Sequence, residues 1–302
     1  MSQPDTDAQL RDIQTRFLLP RAGVRGIHVR LNDAWQQILS HGDYPLAAQQ
    51  LLGEACAATA LFTGHVKVDG RLSVQLRANG PLRTLFAECT AAHTLRGIVR
   101  WDEGAALSRD LGTLGEDALL AITIENPGLN PHEPQRYQSL VGLQAPTMAE
   151  VFEDYFRQSE QLPTRLLLAA DGDTAAGLML QKLPGDEGDD DGWNRAGALF
   201  DTLGEAELLV TPADTLLQRL FHEEDTQILA RQSLRFACSC SRERVAGMLQ
   251  SLGHEEAQAA IIDGAARVRC EFCGKQYQFD PAQVAELFTQ PPVGNPQSQR
   301  LQ

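Results

Sequence analysis

Cys238-Ser239-Cys240, a spacer of 29 residues (241–269), and Cys270-Glu271-Phe272-Cys273 hold four of the six cysteines in the chain. A tetrahedral Zn²⁺ takes four soft ligands at about 2.3 Å, so its sulfurs must come within roughly 3.8 Å of one another. Two short cysteine pairs brought together by a folded spacer can supply that. Gly274 directly follows the CxxC half, and a residue without Cβ lets the backbone turn back beneath a metal. The CxC half is less usual. In an extended segment its side chains share one face about 6.6 Å apart, so the backbone must kink before both sulfurs reach one ion. The stretch predicts a small zinc-stapled domain near the end of the chain.

The 302 residues suffice for one sizeable core and fit two domains. Hydrophobic residues make up 43% and charged residues 22%, the composition of an ordinary soluble globular protein. Met1-Ser2-Gln3-Pro4-Asp5 has neither a basic nor an apolar leader region, so no signal peptide is expected. No apolar run approaches the ~18 residues of a membrane span, and no membrane partner is expected. These features point to the cytoplasm. Thiols stay reduced there, and clustered cysteines mean metal or redox chemistry more often than structural disulfides.

The net charge of −14 is uneven. Residues 186–225 carry twelve acids against Arg195 and Arg219, a net of −10 in 40 residues. Phosphate contacts need basic surface, so nucleic acid is not an expected partner.

Residues 1–20 read as a polar arm or helix. Ile27, Val29 and Leu31 alternate with His28 and Arg30 as a half-buried strand. Asn32 or Asp33 can cap a helix with Trp35, Ile38 and Leu39, and a second helix spans Tyr44 to Phe62. Val66 and Val68 lead to Asp69-Gly70, a hairpin signal, and Asn79-Gly80 is another. Strands are expected at 72–76, 82–89, 95–101, 119–125 and 136–143, an antiparallel run without βαβ alternation. Thr147-x-x-Glu150 is a capping box opening a helix with Val151, Phe152, Tyr155 and Phe156. Two more strands flank Asp171-Gly172-Asp173.

Residues 184–192 form a breaker and charge run. Beyond it, Trp193, Ala196, Leu199, Phe200 and Leu203, then Leu216, Leu217, Leu220 and Phe221, fit apolar helical stripes. Such short helices depend on docking. Ser241 caps a helix with Val245, Met248, Leu249 and Leu252, and another helix is expected at 255–263. Val268 enters a hairpin around CEFC, and Asp280-Pro281 opens a last helix with Val284, Leu287 and Phe288. The fold class is α+β. Residues 1–183 form a core domain of antiparallel strands with packed helices, and 184–230 an acidic, metastable helical linker. Residues 231–290 form the four-cysteine zinc domain, and 291–302 a disordered tail.

The four cysteines admit other readings. A purely structural clip is one, because zinc binding worth roughly 10–16 kcal/mol would be most of the folding energy of so small a segment. A constitutive zinc ribbon that binds nucleic acid or a partner protein is the main alternative. Residues 231–280 are nearly neutral, with seven Lys/Arg and six acids, which disfavours phosphate binding. Arg242 and Arg244 are expected to tune the thiolates. A thiol oxidoreductase would want its CxxC at the start of a helix in a βαβ context, so no enzyme is expected. Cys56 and Cys89 read as buried core thiols, His222 and His254 as dispensable neighbours of the site, and the acidic run as solvated linker rather than a cation site. Thiolates are the reactive form of cysteine, and a disulfide and a metal exclude each other. Oxidation would therefore remove zinc and most of the folding energy of the segment. Four cysteines allow three disulfide connectivities.

Cys238-Ser239-Cys240-Ser241-Arg242-Glu243-Arg244 with its distant CxxCG resembles the 33 kDa chaperonin family (heat shock protein 33), the redox-regulated holdase chaperones of bacteria. Glu153-Asp154-Tyr155-Phe156, Ser159 to Arg165 and Gly177 to Gln181 extend the likeness over nearly the whole chain. The resemblance implies one zinc per reduced chain on Cys238, Cys240, Cys270 and Cys273. It implies oxidation to Cys238–Cys240 and Cys270–Cys273 disulfides, unfolding of zinc domain and linker, and homodimerisation on activation. It implies ATP-independent binding of unfolded client proteins.

Overall fold

A computed structural model describes residues 11–128, 134–185 and 188–289. The expected tail, residues 1–10, His132, Asp186 and Glu187 lie outside the described residues. The chain divides into two compact units, one reaching Ala237 and the other taking up the chain from Cys238.

The first unit opens with β1 (Ile13–Leu19), β2 (Val24–Leu31), α1 (Asp33–Leu39) and α2 (Leu46–His65). Next come β3 (Arg71–Arg77), β4 (Leu82–Thr90), β5 (Thr94–Trp101), β6 (Leu119–Asn126) and β7 (Gln135–Gly142). After α3 (Met148–Tyr155) follow β8 (Thr164–Ala170), β9 (Ala175–Lys182), α4 (Gly192–Phe200), α5 (Glu205–Val210) and α6 (Ala213–Phe221). The unit ends with β10 (Gln227–Ser233) and β11 (Arg235–Phe236). One sheet has the order β10-β1-β2-β9-β8 and the other β11-β5-β4-β3-β6-β7. The pairs are antiparallel except β11 with β5.

α2 is the pivot of this architecture. It touches strands of both sheets, and its long run of Ala and Leu with one acid, Glu54, is buried on every side from Leu51 to Thr63. Close approach is built in from the sheet side: a Cβ on Gly97 of β5 would lie 2.9 Å from Cys56 Sγ. Cys56 and Cys89 are fully buried, and burial pushes the Cys89 thiol up to about 12, as expected of core thiols.

Most of the expected antiparallel strands form, Asn79-Gly80 lies in the β3–β4 turn, and the Thr147/Glu150 capping box is present in both directions. Four expectations for this unit are corrected. Residues 13–19 are a strand, not an arm or helix, because Phe17 and Leu19 have a sheet face to fill. β2 is buried on both faces rather than one, since the α2 core packs on one face and the helices of the acidic segment on the other. Asp69-Gly70 makes no hairpin. It joins α2 to β3, and both its N–H groups donate to Asn126 Oδ1. Asn32 caps α1 by position only; the Asp12 carboxylate accepts from the Asn32 and Ala34 N–H groups instead.

The free face of the β1-β2-β9 sheet is covered by the acidic segment. Trp193, Ala196, Phe200, Leu203, Leu216, Leu217, Leu220 and Phe221 pack on Phe17, Val24, Leu178 and Leu180, the stripes the sequence predicts. The Phe17 ring lies across Gly26, where a Cβ would collide with it, and stacks with Phe221 at 6.2 Å. The segment then runs into β10, which pairs along β1 as an edge strand, and β11 adds to the other sheet. No alternating pattern announces β10, because its side chains are almost all exposed.

The second unit contains α7 (Arg242–Leu252), α8 (His254–Ala259), β12 (Ile261–Ile262), β13 (Ala265–Arg269), β14 (Gln276–Phe279) and α9 (Pro281–Leu287). Ser241 caps α7 through the Arg244 N–H, and Asp280 and Gln283 close a capping box with Pro281 at the first helical position. The expected helix at 255–263 is shorter, because Asp263-Gly264 turns with positive φ between β12 and β13. Met248 and Leu252 face solvent rather than the core. The core comprises Val245, Leu249, Ala257, Ala266, Tyr277, Phe279 and Val284, too few side chains for a domain of this size without a staple.

Candidate metal centre

The β13–β14 hairpin carries Cys270 and Cys273 in its turn. Cys270 N–H donates to Lys275 O and Gly274 N–H to Cys270 O, each at 2.8 Å. Gly274 has φ of 66°, the left-handed conformation that favours glycine. The Cys238–Ser241 segment has no regular structure, which meets the kink that the CxC spacing demands. It is held by Arg244, whose guanidinium donates to Ser239 O at 2.9 Å.

The four sulfurs lie within 4.8 Å of one another. Cys238 Sγ is 3.6 Å from Cys270 Sγ, and Cys240 Sγ is 3.3 Å from Cys273 Sγ. A tetrahedral zinc–thiolate site has sulfur–sulfur edges of roughly 3.8 Å, so the donor set fits zinc in number, softness and spacing. Among the described residues this is the one group of three or more His, Cys, Asp or Glu side chains gathered for a metal.

Tyr277 is the residue that sequence reasoning missed. From β14 its hydroxyl donates to Cys240 Sγ at 3.1 Å, the kind of outer partner that orients a ligand sulfur. Its only sequence signal is its place in the strand following CxxCG. Burial raises the Cys240 thiol, but hydrogen bonds led by that of Tyr277 outweigh it and bring the group down to about 7. Cys273 goes the other way, up to about 12, because burial and its neighbours favour the thiol. One sulfur of the cluster thus ionises ahead of another, and a dication would draw the rest.

The described histidines take no part in the sulfur cluster. His222 lies 3.8 Å from Glu223, and His254 packs edge-on against Phe288 at 5.1 Å. Arg242 spans Gln278 O and Gln283 and covers the Phe279 ring at 4.1 Å, so it supports the fold around the site. In the acidic run Asp189 is bound by Arg195 at 2.9 Å. Among the described residues no helix is long and apolar enough to cross a membrane.

A family model described as Hsp33 protein matches residues 12–280. The 33 kDa chaperonin of Ectopseudomonas mendocina is 43% identical, over 92% of this chain and 96% of the relative. That of Neisseria meningitidis serogroup A is 37% identical, over 94% and 93%. The crystal structure of a 33 kDa chaperonin from Thermotoga maritima superposes with a TM-score of 0.78. It covers 92% of this chain and 98% of that one at 22% identity, a likeness of fold.

Proposed function

This chain belongs to the Hsp33 family, and we propose that it is a redox-regulated, ATP-independent holdase that binds unfolding client proteins in the cytoplasm. The observation that carries the proposal is the gathering of Cys238, Cys240, Cys270 and Cys273 in a unit whose own core is small. Bound zinc would supply the cross-link, worth roughly 10–16 kcal/mol, that so small a core cannot replace.

Oxidation of each cysteine pair passes two electrons to an oxidant such as hypochlorite or peroxide, joins the two sulfurs and abolishes two thiolate ligands. Pairing within the segments, Cys238–Cys240 and Cys270–Cys273, follows the family resemblance. The nearest sulfurs belong to opposite segments, so pairing within the segments requires the chain to move. The unit from Cys238 onwards then unfolds and, as the family resemblance implies, the segment of α4–α6 with it, so that the face of Phe17, Val24, Leu178 and Leu180 is bared together with the helices' own stripes. Apolar surface of that kind suits a chaperone that recognises unfolded chains without sequence preference, and suits dimerisation on activation.

The test is an oxidant titration of zinc-loaded protein, with released zinc and free thiols counted and disulfides mapped by peptide mass. The expected result is one zinc released for four thiols lost, with Cys56 and Cys89 still reduced and bonds within each segment. Zinc retained through the loss of four thiols, or peptides bridging Cys238 and Cys270, would contradict the scheme.

A further inference from the structure

His28 sits on the face of β2 that the acidic helices cover. Its cross-strand neighbours are Thr15 on β1 and Leu178 on β9, and Thr15 in turn faces Arg231 on β10. The ring is 1% exposed, and neither of its nitrogens has a hydrogen-bond partner in the protein. Thr15 Oγ1 and Arg30 Nε, its neighbours on the same face, are also buried and unpartnered. These groups line a small, partly open cavity of about 20 Å³, whose lining also includes Pro212, Ala213 and Asp214 at the start of α6. That is room for about one water, enough for a neutral imidazole and too little to solvate an imidazolium.

The charged groups facing the cavity are Arg30 of β2, Asp214 of α6 and Arg231 of β10. Arg231 is ion-paired with Asp214, which leaves Arg30 as the uncompensated charge, of the wrong sign to welcome a second cation. A row of unpaired polar groups is costly where two apolar surfaces meet. Here it lies beneath the very helices whose release the proposed function requires.

We propose that His28 makes the docking of α4–α6 sensitive to protons, so that mild acid loosens these helices while the cysteines are still reduced. This second trigger rests on the holdase reading for its purpose, though not for its measurement. Burial, and then Arg30, hold the docked ring down to about 4 against an ordinary 6.5. Once the helices lift, the ring is solvated and returns to its ordinary value. The released state therefore binds the proton more tightly, and docking weakens as pH falls below 6.5. Each pH unit in that window is worth about tenfold.

The experiment is hydrogen exchange of α4–α6 amides in reduced, zinc-loaded full-length protein at pH 7.5 and 5.5, corrected for intrinsic exchange. Opening should rise about tenfold at pH 5.5, with zinc and thiol counts unchanged. His28→Leu should open less at both pH values and lose the pH response. Thr15→Val should open less and keep it. Opening that ignores pH would overturn the inference, as would an undiminished response in His28→Leu, which would assign it to carboxylates or ligand thiols. Should His28→Leu fail to fold, the His28 ring followed by NMR in the unaltered protein decides. Titration near 4 while docked upholds the inference, and titration near 6.5 overturns it. A protein that opens in acid but protects no client would sink the holdase reading and leave this one standing.

Discussion

Arg195 donates to the buried carboxylate of Glu224 at 2.5 Å and to Asp189 at 2.9 Å, tying both ends of the acidic segment together. Glu224 is 1% exposed, so removing its partner strands a buried charge, at a cost of about 3 kcal/mol. Arg195→Ala should therefore speed hydrogen exchange in α4 and α6 by more than tenfold and leave β3–β6 unchanged. Exchange raised equally throughout the unit would show that the segment is not a separable layer. Glu54 illustrates the opposite sign of proton linkage to His28. Burial outweighs its ion pair with Arg109 and lifts the carboxyl from an ordinary 4.5 to about 7. The folded protein thus holds the proton more tightly than the unfolded chain. Stability from this group is complete below pH 4.5 and is lost as pH rises through 7. Denaturant midpoints of Glu54→Gln should gain on the parent between pH 5 and 8; parallel midpoints across that range would refute the assignment.

At the scale of elements, α4, α5 and α6 are short and amphipathic, and they owe their order to the sheet beneath. Phe221 is fully buried against Phe17. Truncation to Ala costs about 3–5 kcal/mol at such sites, taken here from docking rather than from the main core. Reduced Phe221→Ala should suppress client aggregation more than the reduced parent, measured by light scattering. Protection no better than the parent would mean that releasing these helices does not expose the binding face. Most of the helices, α4 and α6 among them, were legible in the sequence because apolar residues recur at helical spacing and caps are written in Thr147, Ser241 and Asp280; α5 (Glu205–Val210), a six-residue helix with one buried side chain, was not. β1 and β10 were not. β1 falls in a stretch read as polar, where Asp12 and Gln14 are in fact buried partners. β10 is a solvent-facing edge held by backbone bonds that leave no pattern in side chains.

For the whole molecule, two sheets enclose one buried helix, an acidic layer covers one sheet, and a separate unit gathers four cysteines. The cluster of four cysteines was readable because metal geometry constrains spacing tightly: CxC and CxxCG leave few alternatives. The supporting donor Tyr277 and the polar row of Thr15, His28 and Arg30 were not, because they arise from register between distant strands. The acids of the segment meet basic partners on the same unit, Glu205 with Arg109 and Asp201 with Arg165. Such partly exposed pairs contribute little individually. In the proposed function, loss of the thiolate cluster uncovers a client-binding surface. Its most direct test is light scattering of a thermally unfolding client without ATP, with reduced, zinc-loaded protein compared with oxidised, zinc-free protein. The expected result is suppression by the oxidised form at near-stoichiometric ratio and little by the reduced form. Equal protection by the two forms would contradict it.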